Sequence, residues 1–351
     1  LDFQPINDSP EINWTWQEDG QSNQDRPLYP PAPRLCTMVP NLKILNVGAR
    51  WLDSYKFNIS DVIPAGIEHL LLTVGAGDIW SIHQFVELLD SHPSLSFLSL
   101  PELEDPIEMD TKVPPFNWRN KSWPNLRELI IDHMCGEEQI ERFTHYIPYS
   151  VFPNLERLSL NVIPMEEWFR PLLSLHGASI KALHFTIYDA ETDSAIEKEV
   201  LESIYQLCPQ LEEIGLVARE LPLGNEGVKW TKIDKAFTEV TVLALRFQEY
   251  EEGYGEYWEW FLDNAFRWAR SMLPKLRTIR FYDKANWEYL EATEDLLRPF
   301  LRKCQCIGIT VENNLGVQLK GSDYIQEEEG ETEEENGDGS ADEFLEDEDD
   351  G

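Results

Sequence analysis

The chain has 351 residues and a formal charge of −36, from 65 Asp and Glu against 29 Lys and Arg. That balance excludes a phosphate-backbone binder, which needs clustered cations, and disfavours an anionic membrane surface. No apolar run reaches the roughly 18 residues of a membrane span. The five scattered cysteines, an odd number, suit a reducing compartment, cytoplasmic or nuclear, better than a disulfide framework.

In chain order, residues 1–34 are polar and proline-rich, with Pro27, Pro30, Pro31 and Pro33 reading as an extended linker. Trp14 and Trp16 are candidates to tack it onto the first repeat. From residue 35 a short phrase recurs. It reads Val39-Pro40-Asn41-Leu42-Lys43-Ile44-Leu45-Asn46-Val47 and returns at His92-Pro93-Ser94-Leu95, Trp123-Pro124-Asn125-Leu126 and Phe152-Pro153-Asn154-Leu155. Further copies are Cys208-Pro209-Gln210-Leu211 and Leu273-Pro274-Lys275-Leu276. Each continues as L-x-x-L-x-L or a close variant. Weaker copies anchor on Ile67, Leu70 and Leu72, on Ile180, Leu183 and Phe185, on Val240, Leu243 and Leu245, and on Cys306, Ile309 and Val311. The mean period is about 29 residues, the long end of the leucine-rich-repeat class.

The anchors have a mechanical reason. In Leu126-Arg127-Glu128-Leu129-Ile130-Ile131, Leu129 and Ile131 stand two apart and share one face of a strand. Proline removes a backbone donor and extends the residue before it, so each X-Pro marks where a helix ends and a strand begins. Between strands the pattern turns helical: Ile82, Phe85, Val86 and Leu89 form one stripe, and Ile196, Val200, Ile204 and Leu207 another. Phe169-Arg170-Pro171-Leu172-Leu173 is echoed by Leu297-Arg298-Pro299-Phe300-Leu301. These stripes read as core. The expectation is an α/β leucine-rich-repeat solenoid over residues 35–321, with about ten repeats, parallel strands on the concave face and helices on the convex face.

The longest step, between Val240 and Leu276, holds an aromatic-rich insertion. Phe261, Ala265, Phe266 and Ala269 make a helical face toward the core. Tyr250, Tyr254 and Tyr257 stand in a Glu- and Gly-rich stretch. They are candidate partner anchors, because Tyr and Trp are favoured at interfaces; plain packing or loop filling is the competing reading. Residues 322–351 carry sixteen Asp and Glu without Lys or Arg, and read as a disordered acidic tail in which Phe344 and Leu345 are a candidate short apolar anchor.

Catalytic signatures are absent: no Gly-x-Ser-x-Gly elbow and no Gly-Lys-Ser/Thr phosphate loop. Gly75-Ala76-Gly77 lacks a third glycine. His133-Met134-Cys135 and Cys304-x-Cys306 lack further partners for a dyad or metal site, and Cys208 and Cys306 read as small core residues. No enzyme, cofactor or metal is expected. The strand positions between anchors carry more information. Arg157, His184, Arg246 and Arg280, with Tyr282, collect in the C-terminal half of one face. Arg suits a carboxylate or phosphate partner; balancing of acidic neighbours is the alternative. The tail, with a reach of roughly 30 Å, starts near Arg246 and Arg280 and is placed to compete there with an acidic or phosphorylated partner; a role in solubility alone is the competing reading.

The Cys/Phe/Leu-Pro-x-Leu-x-x-Leu-x-Leu phrase resembles the repeat domains of F-box leucine-rich-repeat proteins, and its Trp-rich style resembles the large fungal F-box-like families. The resemblance covers residues 35–321. It implies a protein substrate held by the repeats and a cullin-ligase adaptor bound through an F-box. Nothing in residues 1–34 matches an F-box, so that module is expected upstream of Leu1. Acidic leucine-rich nuclear phosphoproteins and Ran GTPase-activating proteins share the repeat-plus-acidic-tail layout. They would imply a histone-like partner or assisted catalysis, but they show Asn three residues after the last anchor. Of those turn positions here, among them Leu103, Met134, Tyr188 and Arg219, only the last, Asn314, is Asn. An acidic-tailed scaffold or chaperone of basic proteins is the alternative function.

Overall fold

The computed structural model describes residues 41–48, 63–73, 80–104, 122–134, 152–161, 163–189, 194–219, 231–247 and 255–319. The readings of residues 1–34, of the acidic tail and of Gly75-Ala76-Gly77 lie outside these. Twelve strands are described: β1 (Ile44–Gly48), β2 (His69–Thr73), β3 (Trp80–Ser81), β4 (Phe97–Glu104), β5 (Glu128–Met134), β6 (Arg157–Leu160), β7 (Ala182–Asp189), β8 (Ser194–Ala195), β9 (Glu213–Arg219), β10 (Val242–Phe247), β11 (Thr278–Phe281) and β12 (Thr310–Glu312). Six helices are described with them: α1 (Ile82–Ser91), α2 (Glu166–His176), α3 (Lys198–Leu207), α4 (Gly255–Met272), α5 (Lys284–Ala292) and α6 (Glu294–Cys306).

Ten strands form one continuous parallel sheet whose spatial order follows the chain, β1-β2-β4-β5-β6-β7-β9-β10-β11-β12. Short β3 runs parallel to β4, and β8 pairs antiparallel with β7. The register aligns the anchors. Leu45, Leu70, Leu98, Leu129, Leu158, Leu183, Ile214, Leu243, Ile279 and Val311 stand opposite one another across all ten strands. Two residues on, Leu100, Ile131, Leu160, Phe185, Leu216, Leu245 and Phe281 form a second row. Both rows are buried apart from half-buried Leu45, and they join one core with Phe85, Val86 and Leu89 of α1, Phe169 and Leu172 of α2, and Phe261 and Ala265 of α4. Burying each such side chain stabilises by about 1.5–3 kcal/mol.

The X-Pro-polar-Leu phrase is a β-turn. The amides of Leu95, Leu126, Leu155, Leu211 and Leu276 donate to the carbonyls of His92, Trp123, Phe152, Cys208 and Leu273 at 3.0–3.3 Å. Proline sits at the second turn position, where its fixed φ is already right. The pre-proline residue is itself core. Trp123 stacks on Phe152 with centroids 5.6 Å apart, and the two nitrogens of the buried His92 ring lie 3.1 and 2.9 Å from the carbonyl oxygens of Ile63 and Leu88. The residue after proline also has a task. The Asn125 side-chain amide donates to Pro93 O at 2.9 Å, and that of Asn154 to Pro124 O at 2.8 Å. Each ties its turn to the turn of the preceding strand.

Three expectations from the sequence need correction. Val311, not Ile309, pairs with Ile279, so the last copy is shifted by two residues. α6 runs to Cys306, and Gly308 turns the chain at φ 75°. Cys306 is consequently exposed, and Cys304 is the buried thiol, with burial pushing it up to about 12. Finally, the expected turn positions Leu103, Met134, Tyr188 and Arg219 lie within β4, β5, β7 and β9. These strands run longer than the anchor phrase.

The echoed proline motif lies inside α2 and α6. In both, an Arg just before the proline pairs with a Glu four residues earlier, Arg170–Glu166 at 2.7 Å and Arg298–Glu294 at 2.8 Å. Asn286, fully buried on α5, substitutes for a strand partner: its Oδ1 accepts from Phe247 N at 2.8 Å and its Nδ2 donates to Phe247 O at 2.7 Å. Asn286→Ala leaves both backbone groups at the end of β10 unmatched, so urea unfolding should show a loss of about 2–4 kcal/mol.

Candidate functional site

Side chains between the anchors project from the other side of the sheet. Register sets them in rows. One reads Ile44, His69, Phe97, Glu128, Arg157, Ala182, Glu213, Val242, Thr278, Thr310. The next reads Asn46, Leu71, Ser99, Ile130, Ser159, His184, Gly215, Ala244, Arg280, Glu312.

The centre of the C-terminal half is Glu213, 6% exposed. Its Oε1 accepts from Arg157 Nη1 at 2.7 Å and from His184 Nε2 at 2.7 Å. Its Oε2 faces Arg280 Nη1 at 3.7 Å. Three strands besides its own, β6, β7 and β11, thus send a side chain to one carboxylate. Small neighbours make room. Ala182 stands between Arg157 and Glu213 in register. Gly215 lies under the His184 ring, which any Cβ at that position would strike. A glycine inside a strand commonly marks such a close approach.

The outer contacts complete the network. Arg280 Nε and Nη2 donate to Glu312 Oε2 at 3.0 and 2.8 Å. Arg157 Nε lies 3.3 Å from Glu128 Oε1. Tyr282 meets the His184 ring edge-on, with centroids 4.9 Å apart. Arg246 Nε lies 3.4 Å from Asp283 Oδ2. Beside them, Thr186 Oγ1 donates to Asn161 Oδ1 at 3.0 Å.

The two glutamates respond in opposite senses. Burial pushes Glu213 up, but the His184 hydrogen bond and the charges of His184 and Arg157 outweigh it and hold the carboxyl well below its ordinary value. With Glu213 ionised, His184 Nε2 carries the proton that it donates. Burial raises Glu128; Arg157 offsets part of this, and the nearby Glu213 charge adds to it. Arg157 is held charged: burial works against the cation, and Glu213 and Glu128 more than reverse that.

Of the residues singled out in the sequence, Arg157, His184, Arg280 and Tyr282 come together here. Arg246 faces Asp283 in the neighbouring row. Tyr250 and Tyr254 lie outside the described residues, and Tyr257 enters α4 with its side chain undescribed. Sequence reasoning missed Glu213 as the hub, because one Glu among 65 acidic residues carries no signal. The available signal was Gly215 in the strand Glu213-Ile214-Gly215-Leu216.

Among the described residues no helix is long and apolar enough to cross a membrane, and no group of three His, Cys, Asp or Glu is placed to hold a metal ion. Compared with known proteins, the chain matches no family model, no curated protein and no solved structure.

Proposed function

We propose that this chain is a leucine-rich-repeat solenoid acting as a non-catalytic protein-recognition module, the substrate-holding part of an F-box-type ubiquitin ligase in the cytoplasm or nucleus. One observation carries the recognition reading: the ten-stranded parallel sheet keeps strict sequence order. Each repeat therefore contributes its own two or three inter-anchor side chains to one continuous face. Such stacked units offer an extended binding surface rather than a deep reaction cleft. The ligase assignment rests on the resemblance of the repeat phrase alone.

The test is affinity capture of the protein tagged at its own locus. Stoichiometric recovery of a cullin adaptor together with a ubiquitylated client supports the ligase role. Recovery of histone-like basic proteins with no cullin adaptor supports the acidic scaffold or chaperone instead. Turnover of a small molecule by the purified chain, with neither type of partner, would overturn the recognition reading.

A further inference from the structure

The N-terminal half of the same face differs from the charged half. Ile44, 49% exposed, begins a row that continues with half-buried His69 and Phe97. The His69 and Phe97 rings stack at 15° with centroids 5.8 Å apart. Half-buried Leu71 flanks them in the next row. The row then reaches Glu128, one strand beyond Phe97, where neighbouring strands are about 4.8 Å apart.

Glu128 is incompletely neutralised. Among the described residues its carboxylate makes no hydrogen bond, and its one ion pair is the 3.3 Å approach of Arg157 Nε. Arg157 meanwhile directs its Nη1 to Glu213. The arginines farther along the face, Arg246 and Arg280, face Asp283, Glu312 and Glu213. The face therefore presents an apolar, aromatic strip that ends on an acid, within a chain of formal charge −36.

We propose that Ile44, His69, Leu71, Phe97 and Glu128 form a docking strip for an extended protein segment with a Lys or Arg next to an aliphatic residue. The aliphatic residue lies on Ile44 and Leu71. The stem of the basic side chain covers the Phe97 ring, as long cationic side chains do on apolar surfaces, and its charge meets Glu128. Attraction of a cation to the ring face adds to this contact. The negative field of the chain favours encounter with a basic segment. The proposal rests on the recognition reading and names the chemistry of the partner.

The test uses the whole chain and a random nonamer peptide library. Peptides selected on the wild type are counter-selected on Glu128→Gln and on Phe97→Ala, and the best are remeasured by fluorescence polarisation. The expected peptides carry Lys or Arg beside Val, Ile or Leu, and each variant weakens them about tenfold, the effect of roughly 1.4 kcal/mol. Thr278→Ala, in the charged half, leaves them unchanged. Glu128→Lys restores binding to a peptide in which the basic residue is replaced by Glu, a reversal that mere loss of structure does not produce. Because burial raises the Glu128 carboxyl, Glu128→Gln should melt no lower than wild type at about pH 7, which separates lost binding from lost folding. Acidic or uncharged selected peptides, absence of enrichment over Glu128→Gln, or absence of charge-swap rescue would each overturn the strip. Cellular capture of a partner that is unaffected by both variants would overturn the strip while leaving the recognition module intact.

Discussion

Glu213→Ala is expected to destabilise the protein by about 3–5 kcal/mol at pH 7, the usual cost of removing one member of a buried ion pair. The substitution leaves Arg157 and His184 without their 2.7 Å acceptor and removes the Arg280 contact. The pH dependence follows from the depressed carboxyl. The native value lies below the unfolded one near 4.5, so the stabilisation is full above that value and fades as pH falls through the native value. Urea midpoints of wild type and variant should therefore differ fully above about pH 4.5 and draw together progressively as pH falls from there toward the native value. A difference that stays constant down to about pH 3 would show that the charge of Glu213 is not what matters.

Gly215→Ala is expected to cost about 2–4 kcal/mol, from overpacking and from the lost hydrogen bond. The new methyl strikes the His184 ring and its Cβ. β7 is held by its pairing with β6 and β9, so the ring has to turn away from Glu213. The effect is therefore conditional on the ring. In a His184→Ala background the same glycine substitution should cost below about 1 kcal/mol, a non-additivity that a double-mutant cycle reads directly. Equal costs in both backgrounds would mean that Gly215 serves the strand and not the site.

The anchors were legible because period-two burial and proline position are local signals. Leu129 and Ile131, or Leu158 and Leu160, announce strands from their own neighbours. The last repeat was not legible. Cys304, Cys306, Ile307 and Ile309 offer several apolar frames, and only pairing with β11 selects Val311. Four of the expected turn positions, Leu103, Met134, Tyr188 and Arg219, are still strand and form no Asn ladder. Asparagines do staple successive turns, but from the position after proline, at Asn125 and Asn154. That role needs a neighbour about 30 residues away and leaves no local mark. The basic residues of the face were found from alternation alone. Their carboxylate partners, Glu213, Glu312 and Asp283, were hidden by the abundance of acid in the chain. An acidic tail competing for Arg246 and Arg280 would have to displace those internal carboxylates, which already hold both side chains.

The central claim, that the sheet face is where a partner binds, is tested most directly by photo-cross-linking in cells. A photoreactive amino acid is placed at Phe97 or Thr278 on the face, and at Arg170 of α2 or Arg302 of α6 on the helical side. The account predicts a discrete cross-linked partner from at least one face position and none from the helical positions. A partner cross-linked from Arg170 or Arg302, with neither Phe97 nor Thr278 reacting, would contradict it.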